Sequence, residues 1–298
     1  MNEFDELFTA ATDEKNKSEE RPFDKEAWAE RKKQERADVY ALLDEGTERV
    51  VSNADDFRNY LDVQARFDNY SVSNAILIAV QYPEATSLAD YNTWKKSGHY
   101  VQRSEEAISI LEPGNEYTRN DGTKGVSINV RKVFDISQTQ HGAPKQPKTL
   151  ELKTAIKALI ASCPCDIKMD DSKTRNMRAV YSPDTNTIYI RQGMEGEDIF
   201  RSLAQEIAVA RFAEKGIDRT GCAFDAYCAS YILCERNGVS TDAFNFDRVA
   251  ERFDGVEPKT VREQLLNVRS MSSEISQDMS RQFEAMEKTV RAKDDGAR

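Results

Sequence analysis

Histidine is almost missing from this chain: its 298 residues hold two, His99 and His141. A catalytic or structural centre built on three histidine ligands is therefore excluded. Glycine is also sparse, at 13 residues, and no G-x-x-x-x-G-K-[ST] loop, G-x-S-x-G elbow or dinucleotide glycine fingerprint occurs. Long apolar runs are absent too, so no membrane span is expected. The opening residues MNEFDELFTAATDEKNKSEERPFDKE lack the basic and apolar regions of a secretory signal, which points to a cytoplasmic protein. Cysteine is present five times, an odd number without a Cys-x-x-Cys pair, so neither a disulfide framework nor a zinc knuckle is indicated. Cys222, Cys228 and Cys234 recur every six residues. On a helix that spacing turns each by about 240° from the last, onto different faces, and they read as reduced thiols.

Charge is plentiful and unbalanced. Lys and Arg number 42 against 52 Asp and Glu, a formal charge of −10. A surface that binds polyanions everywhere is excluded, whereas a local basic groove is not. The length suffices for two cores, and the order of periodicities predicts an α+β chain of two domains. Residues 1–24 are an acidic leader with too little apolar surface to order itself, although Phe4, Leu7 and Phe8 stand at helical spacing and offer a docking motif. A first domain spans 25–137, with helices over 25–51, 55–68 and 71–81, the last capped by Ser71 and closed by Pro83, and a short helix over 88–97 ended by Gly98. Strands then follow over 100–103, 107–112 and 126–134, with turns at Pro113-Gly114 and Asn120-Asp121-Gly122.

The segment 138–148, with two prolines and no periodicity, reads as a linker. A second domain over 149–256 contains a helix near 150–162, a hairpin of 179–182 with 187–191, and helices over 197–215 and 224–237. From residue 257 one apolar stripe, including Val261, Leu265, Val268, Met271 and Ile275, marks a long amphipathic helix that packs on its own domain.

Two regions carry chemistry. Residues 91–134 interleave aromatics with cations, seven Lys and Arg against five Asp and Glu. Aromatic faces stack on unpaired bases and cations neutralise phosphates, both without regard to sequence. Trp94, Lys95, Lys96, Tyr100, Arg103, Lys124, Arg131 and Lys132 are the candidate nucleic-acid-binding residues; for Trp94 a purely scaffolding role is the competing reading. The order of landmarks is specific: Tyr70-Ser-Val-Ser-Asn74-Ala-Ile-Leu77, Asp90-Tyr91-Asn-Thr-Trp94-Lys-Lys-Ser-Gly98, and Ile108-Ser-Ile110-Leu-Glu-Pro113. Over about residues 50–140 it resembles the N-terminal single-stranded-DNA-binding domain of ArdC-type antirestriction proteins, and LtrC-like proteins of conjugative elements in particular. The resemblance implies a sequence-tolerant clamp on single-stranded DNA.

The second region is the helix around Ser202-Leu-Ala-Gln205-Glu206-Ile-Ala-Val209. An H-E-x-x-H helix places two histidines on one face to hold zinc, with the glutamate activating water. Here Gln205 and Val209 stand at the histidine positions and only Glu206 remains. The surroundings resemble the zincin-like C-terminal domain of the same family, in which Asp225, or in another register Tyr227, takes the third-ligand position. Glutamine is a poor zinc ligand and valine none, so no metal, no cofactor and no catalysis are expected: Gln205, Glu206, Val209 and Asp225 are vestigial. The expected partners are single-stranded DNA and a host or element-encoded protein. Two rival readings stand beside this one: an acidic interaction protein or DNA mimic acting on a host nuclease, for which the negative charge speaks, and a metalloprotease whose altered site uses Glu206, Asp225 and a cysteine.

Overall fold

The computed structural model describes residues 24–119, 121–144 and 151–296, the side chains of 287 and 289–296 excepted. The acidic leader, with Phe4, Leu7 and Phe8, and the last residues of the 138–148 segment lie outside the described residues. The chain divides into a unit ending at Tyr40 and a compact unit from Ala41 to Arg298. Helix α1, Lys25–Val50, begins in the first. Asp24 caps it through its Oδ1, which accepts from the backbone N–H groups of Glu26 and Ala27 at 3.0 Å. Its exposed early turns are laced by Lys32–Glu35 and Gln34–Asp38 contacts, both 2.7 Å.

The larger unit is α+β. Helix α2 (Ala54–Arg66) starts at Asn53, whose side chain accepts from Asp56 N–H, and α3 (Val72–Gln81) starts at Ser71, which caps Asn74 N–H. Helix α2 is apolar on one stripe, whereas α3 is buried around most of its circumference; together they bury Phe57, Tyr60, Leu61, Ile76, Leu77 and Ile78 completely, each burial contributing roughly 1.5–3 kcal/mol. Next come β1 (Leu88–Ala89), α4 (Tyr91–Lys96), β2 (Ile108–Thr118) and β3 (Lys124–Asp135), which form an antiparallel sheet in the order β1-β3-β2.

Local differences from the sequence reading have local causes. The expected helix over 88–97 begins only after Asp90, because Leu88 and Ala89 pair with Asp135 and Phe134. Of the expected strand over 100–103, Val101 alone makes a bridge, to Thr139. Pro113-Gly114 is not a turn: β2 runs through it, and a register shift between Pro113 and Glu116 absorbs the proline as a bulge. At the other end of β3, Asp135 is fully buried and accepts from the N–H groups of Thr86 and Ser87 at 2.6 and 2.8 Å. Gln138, the first residue of the expected linker, is buried there too and completes a capping box with Asp135.

The second sheet, in the order β4-β6-β5, is formed by β4 (Asp166–Met169), β5 (Ala179–Ser182) and β6 (Thr187–Ile190), with β4 parallel and β5 antiparallel to the central strand. Around it are α5 (Leu152–Ala161), the single turn α6 (Asp171–Thr174), α7 (Gly196–Glu214), α8 (Arg219–Asn237), the short α9 (Val249–Phe253) and α10 (Pro258–Gly296). Helix α8 stops at Gly238, which supplies the left-handed backbone of its C-cap. Cys222, Cys228 and Cys234 are all buried along α8 and unpaired. No helix among the described residues is long and apolar enough to cross a membrane.

Candidate functional site

The β2–β3 hairpin, α4 and the connection between them carry the proposed nucleic-acid-binding residues. Asp90 caps α4 by accepting from Thr93 N–H at 2.8 Å, and it anchors the helix to the sheet through Arg131 at 2.5 Å. Arg131 also meets Glu112 at 2.6 Å. Its guanidinium is thus balanced by two carboxylates, and it holds the Asp90 carboxyl well below the usual range, helped by the hydrogen bonds from Thr93. Lys132 donates to the Ser109 hydroxyl at 2.7 Å. Alternation along β3 sets Lys124 and Lys132 on one face and Arg131 on the other. Lys124 sits at the hairpin tip, about 23 Å along the strand from Arg131, opposite Thr118 and 3.9 Å from Glu116. The eight candidates therefore do not form one patch.

Four of them do share the base of the hairpin on exposed positions: Lys95 and Lys96 in the last turn of α4, then Tyr100 and Arg103 beyond Gly98, whose φ of +82° turns the chain. Tyr91 and Tyr100 are each 52 % exposed, and Tyr117 toward the tip 47 %, with the Arg119 guanidinium 5.8 Å from the Tyr117 ring. Trp94 differs. It is buried, its indole N–H donates to the Phe134 carbonyl at 2.8 Å, and its ring meets His99 edge-on. This side chain ties α4 to β3 and offers no ring face to a base, which corrects its place among the candidate contacts.

On α7, Gln205 is partly exposed, and Glu206 and Val209 are buried. The Glu206 carboxylate accepts from the backbone N–H of Tyr181 on β5 at 2.6 Å and from both terminal nitrogens of Arg219 at the start of α8, one of them at 3.1 Å. A bidentate guanidinium is a strong partner for a carboxylate taken out of water. Sequence reasoning missed Arg219. It stands 13 positions from Glu206 across a loop, and the only hint was an ionisable residue on an otherwise apolar helix face, which demands a partner.

Asp225 does not join this cluster. Six residues beyond Arg219 it faces elsewhere, accepting from Gln264 of α10 at 3.0 Å, and burial pushes its carboxyl above the usual range. Tyr227 is engaged as well: its phenolic oxygen accepts from Asn245 N–H at 2.7 Å, within rings that include Phe244 and Phe246. Among the described residues no three His, Cys, Asp or Glu side chains are grouped as metal ligands.

No family model matches the chain. Over 77 residues it is 31 % identical to an uncharacterized protein of Bacillus anthracis, pXO2-81; the match covers 26 % of this chain and only 13 % of that protein. Solved structures are more informative. The metal-free crystal structure of the antirestriction protein ArdC from plasmid R388 superimposes with a TM-score of 0.53 at 16 % identity, over 71 % of this chain and 86 % of that one. The Mn(II)-bound structure of the same protein gives 0.54 at 14 % identity, over 80 % and 98 %. The chain has the ArdC fold.

An ArdC structure was solved with Mn(II), so the donors of this chain are worth testing against a divalent cation. They do not fit. Gln205 offers a neutral amide, Val209 offers nothing, and the one carboxylate between them is held by a guanidinium. The ArdC fold in this chain surrounds Glu206 with a fixed organic cation.

Proposed function

We propose that this chain is a sequence-tolerant single-stranded-DNA-binding protein of a mobile element, acting in the cytoplasm in antirestriction or DNA transfer, and that its metallopeptidase-like half performs no peptide hydrolysis. The observation that carries the reading is the exposed Tyr91, Lys95, Lys96, Tyr100 and Arg103 at the hairpin base on a fold shared with a protein described as an antirestriction protein. Stacking on two tyrosines and neutralisation by three nearby cations match what an unpaired strand presents, and neither reads sequence. Lys124 and Lys132 lie on the face of β3 opposite Arg131, and Lys124, at the hairpin tip, is separate from that group. Arg131, clamped by Asp90 and Glu112, fixes the geometry of α4 more than it adds charge.

The absence of catalysis is argued from chemistry: both oxygens of the glutamate already accept hydrogen bonds, from a guanidinium and a backbone N–H, and the neighbouring positions Gln205 and Val209 supply no strong metal donors. Titration of labelled single-stranded and duplex oligonucleotides tests the binding. Salt-sensitive binding that prefers the single strand is expected, and Lys95→Ala/Lys96→Ala should weaken it while lowering the salt slope by about 1.4, roughly 0.7 for each phosphate left without its lysine. No binding to either oligonucleotide at low salt would sink the reading and leave the acidic interaction protein, for which the −10 charge speaks. Metal analysis addresses catalysis: stoichiometric zinc or manganese retained through dialysis overturns the non-enzymatic reading.

A further inference from the structure

Beside Glu206 lies an open cavity of about 450 Å³ walled by Asn176, Arg178, Arg191, Ser202, Gln205 and Arg219. Its volume is in the range of small-ligand sites, and its wall is rich in donors: three guanidiniums, two side-chain amides and a hydroxyl. The charges do not cancel. Arg219 is matched by Glu206, the one carboxylate in the wall. Arg191 donates to the neutral carbonyl of Arg175, and among the described residues no carboxylate forms an ion pair with it. Arg178 contacts Asp198 at 3.3 Å, but that carboxylate is shared with Arg201 at 2.8 Å, so one negative charge serves two positive ones. The local excess is thus about two positive charges, inside a chain whose total is −10. Ser202 and Gln205 stand three apart on one face of α7 and add neutral donors to the same wall as the three guanidiniums.

We propose that this cavity binds a near-dianionic phosphate group, supplied either as inorganic phosphate or as the terminal phosphate monoester of a DNA strand. A monoester carries −1.5 to −2 charge near neutrality, which the local excess balances. Its three terminal oxygens can accept from several guanidinium forks at once, the geometry for which arginine is suited. A diester in mid-strand presents a single charge and fewer free oxygens. The helix face that would hold a metal cation in a working peptidase here lines a site for an anion. The residues belong to the second sheet and to α7 and α8, and none belongs to the hairpin, so the site does not depend on the DNA-binding reading.

The test is phosphorus NMR of inorganic phosphate titrated with the full-length protein, paired with fluorescence anisotropy of an oligothymidylate carrying either a 5′-phosphate or a 5′-hydroxyl. Broadening of the phosphate resonance assigns the free anion as a ligand. A 5′-phosphate that raises oligonucleotide affinity about tenfold or more assigns the strand end. Arg178→Gln/Arg191→Gln should weaken either interaction at least tenfold, and Arg191→Lys, which keeps the charge without the fork, should weaken it less. Glu206→Gln should act in the opposite direction and tighten binding about tenfold, since it removes the one negative charge of the wall. Changes of opposite sign cannot both come from misfolding. Lys95→Ala/Lys96→Ala must leave phosphate broadening unchanged, which separates this site from the hairpin. Absence of both broadening and a 5′-phosphate advantage, or binding indifferent to the arginine pair, overturns the proposal.

Discussion

Glu206 is nearly out of contact with water, yet every lone pair that matters is used, by Tyr181 N–H and by the fork of Arg219. Breaking a buried pair by removing one partner leaves an uncompensated charge, at about 3–5 kcal/mol for full burial. Arg219 is 38 % exposed, and water reaching the vacated space screens the carboxylate, so Arg219→Ala should cost about 1–3 kcal/mol in urea unfolding. Glu206→Gln, which still accepts from Tyr181, should cost less than that; equal destabilisation would mean the pair is not what holds this region. Asp225 behaves in the opposite sense to a paired carboxylate. Its folded pKa is raised, so the native state binds more protons than the unfolded one between the unfolded value, about 3.9, and the folded value. Stability from this residue therefore declines as pH rises through that window. Asp225→Asn should leave neutral-pH stability unchanged or slightly higher, since the amide oxygen still accepts from Gln264, and should flatten that part of the pH–stability curve. Residues such as Ser71, whose role is local, were legible in the sequence. Arg219 was not, because its role depends on a partner on another helix, and for Trp94 the sequence left contact and scaffold both open, because the choice depends on Phe134, 40 positions along.

At the scale of elements, the periodic helices were readable to within a few residues because burial of one stripe sets their limits. Two strands escaped. Leu88–Ala89 exists only through pairing with β3, and Asp166–Met169 alternates polar and apolar residues over only four positions, too short a signal to stand alone, its register being imposed by parallel pairing with Thr187–Ile190. Pro113 was misread for the converse reason: proline signals a turn in isolation, but on a two-stranded stretch of hairpin a bulge accommodates it. Helix α10 shows how firmly an apolar stripe commits an element. Val261, Leu265, Val268, Met271, Ile275 and Met279 are at most 4 % exposed, whereas the adjacent Leu266 is 48 % exposed. Leu265→Ala should lower unfolding free energy by about 2–5 kcal/mol, through reduced apolar burial and the cavity it leaves. Leu266→Ala should stay within about 0.5 kcal/mol. Similar effects at the two positions would show that the helix is not docked along this stripe.

Across residues 41–298, the helices that precede the hairpin are bonded to those that follow the second sheet. Tyr231 of α8 donates to Asp62 of α2 at 2.8 Å. Arg236 of α8 reaches Asp68 at 2.8 Å and the carbonyls of Gln64 and Ala65 at 3.3 and 3.2 Å. Arg269 of α10 caps the same turn through the carbonyls of Tyr70 and Asp68 at 2.8 and 3.0 Å. A composition-based reading of domains does not register these bonds, since each arginine looks like any solvated cation until the turn at Asp68 is folded against it. Arg236 is 12 % exposed, and burial lowers its pKa despite the pull of Asp68; the turn supplies the acceptors that a buried guanidinium needs. Arg236→Ala should then destabilise both regions together, by about 1–3 kcal/mol, since the Asp68 carboxylate it leaves behind is 39 % exposed and screened by water. Native-state hydrogen exchange gives the check: amides of Leu61 in α2 and Ile232 in α8, both fully buried, should lose protection by the same factor. If only the α8 amides respond, the two regions open separately, and the turn at Asp68 is a contact between independent cores rather than part of one cooperative unit.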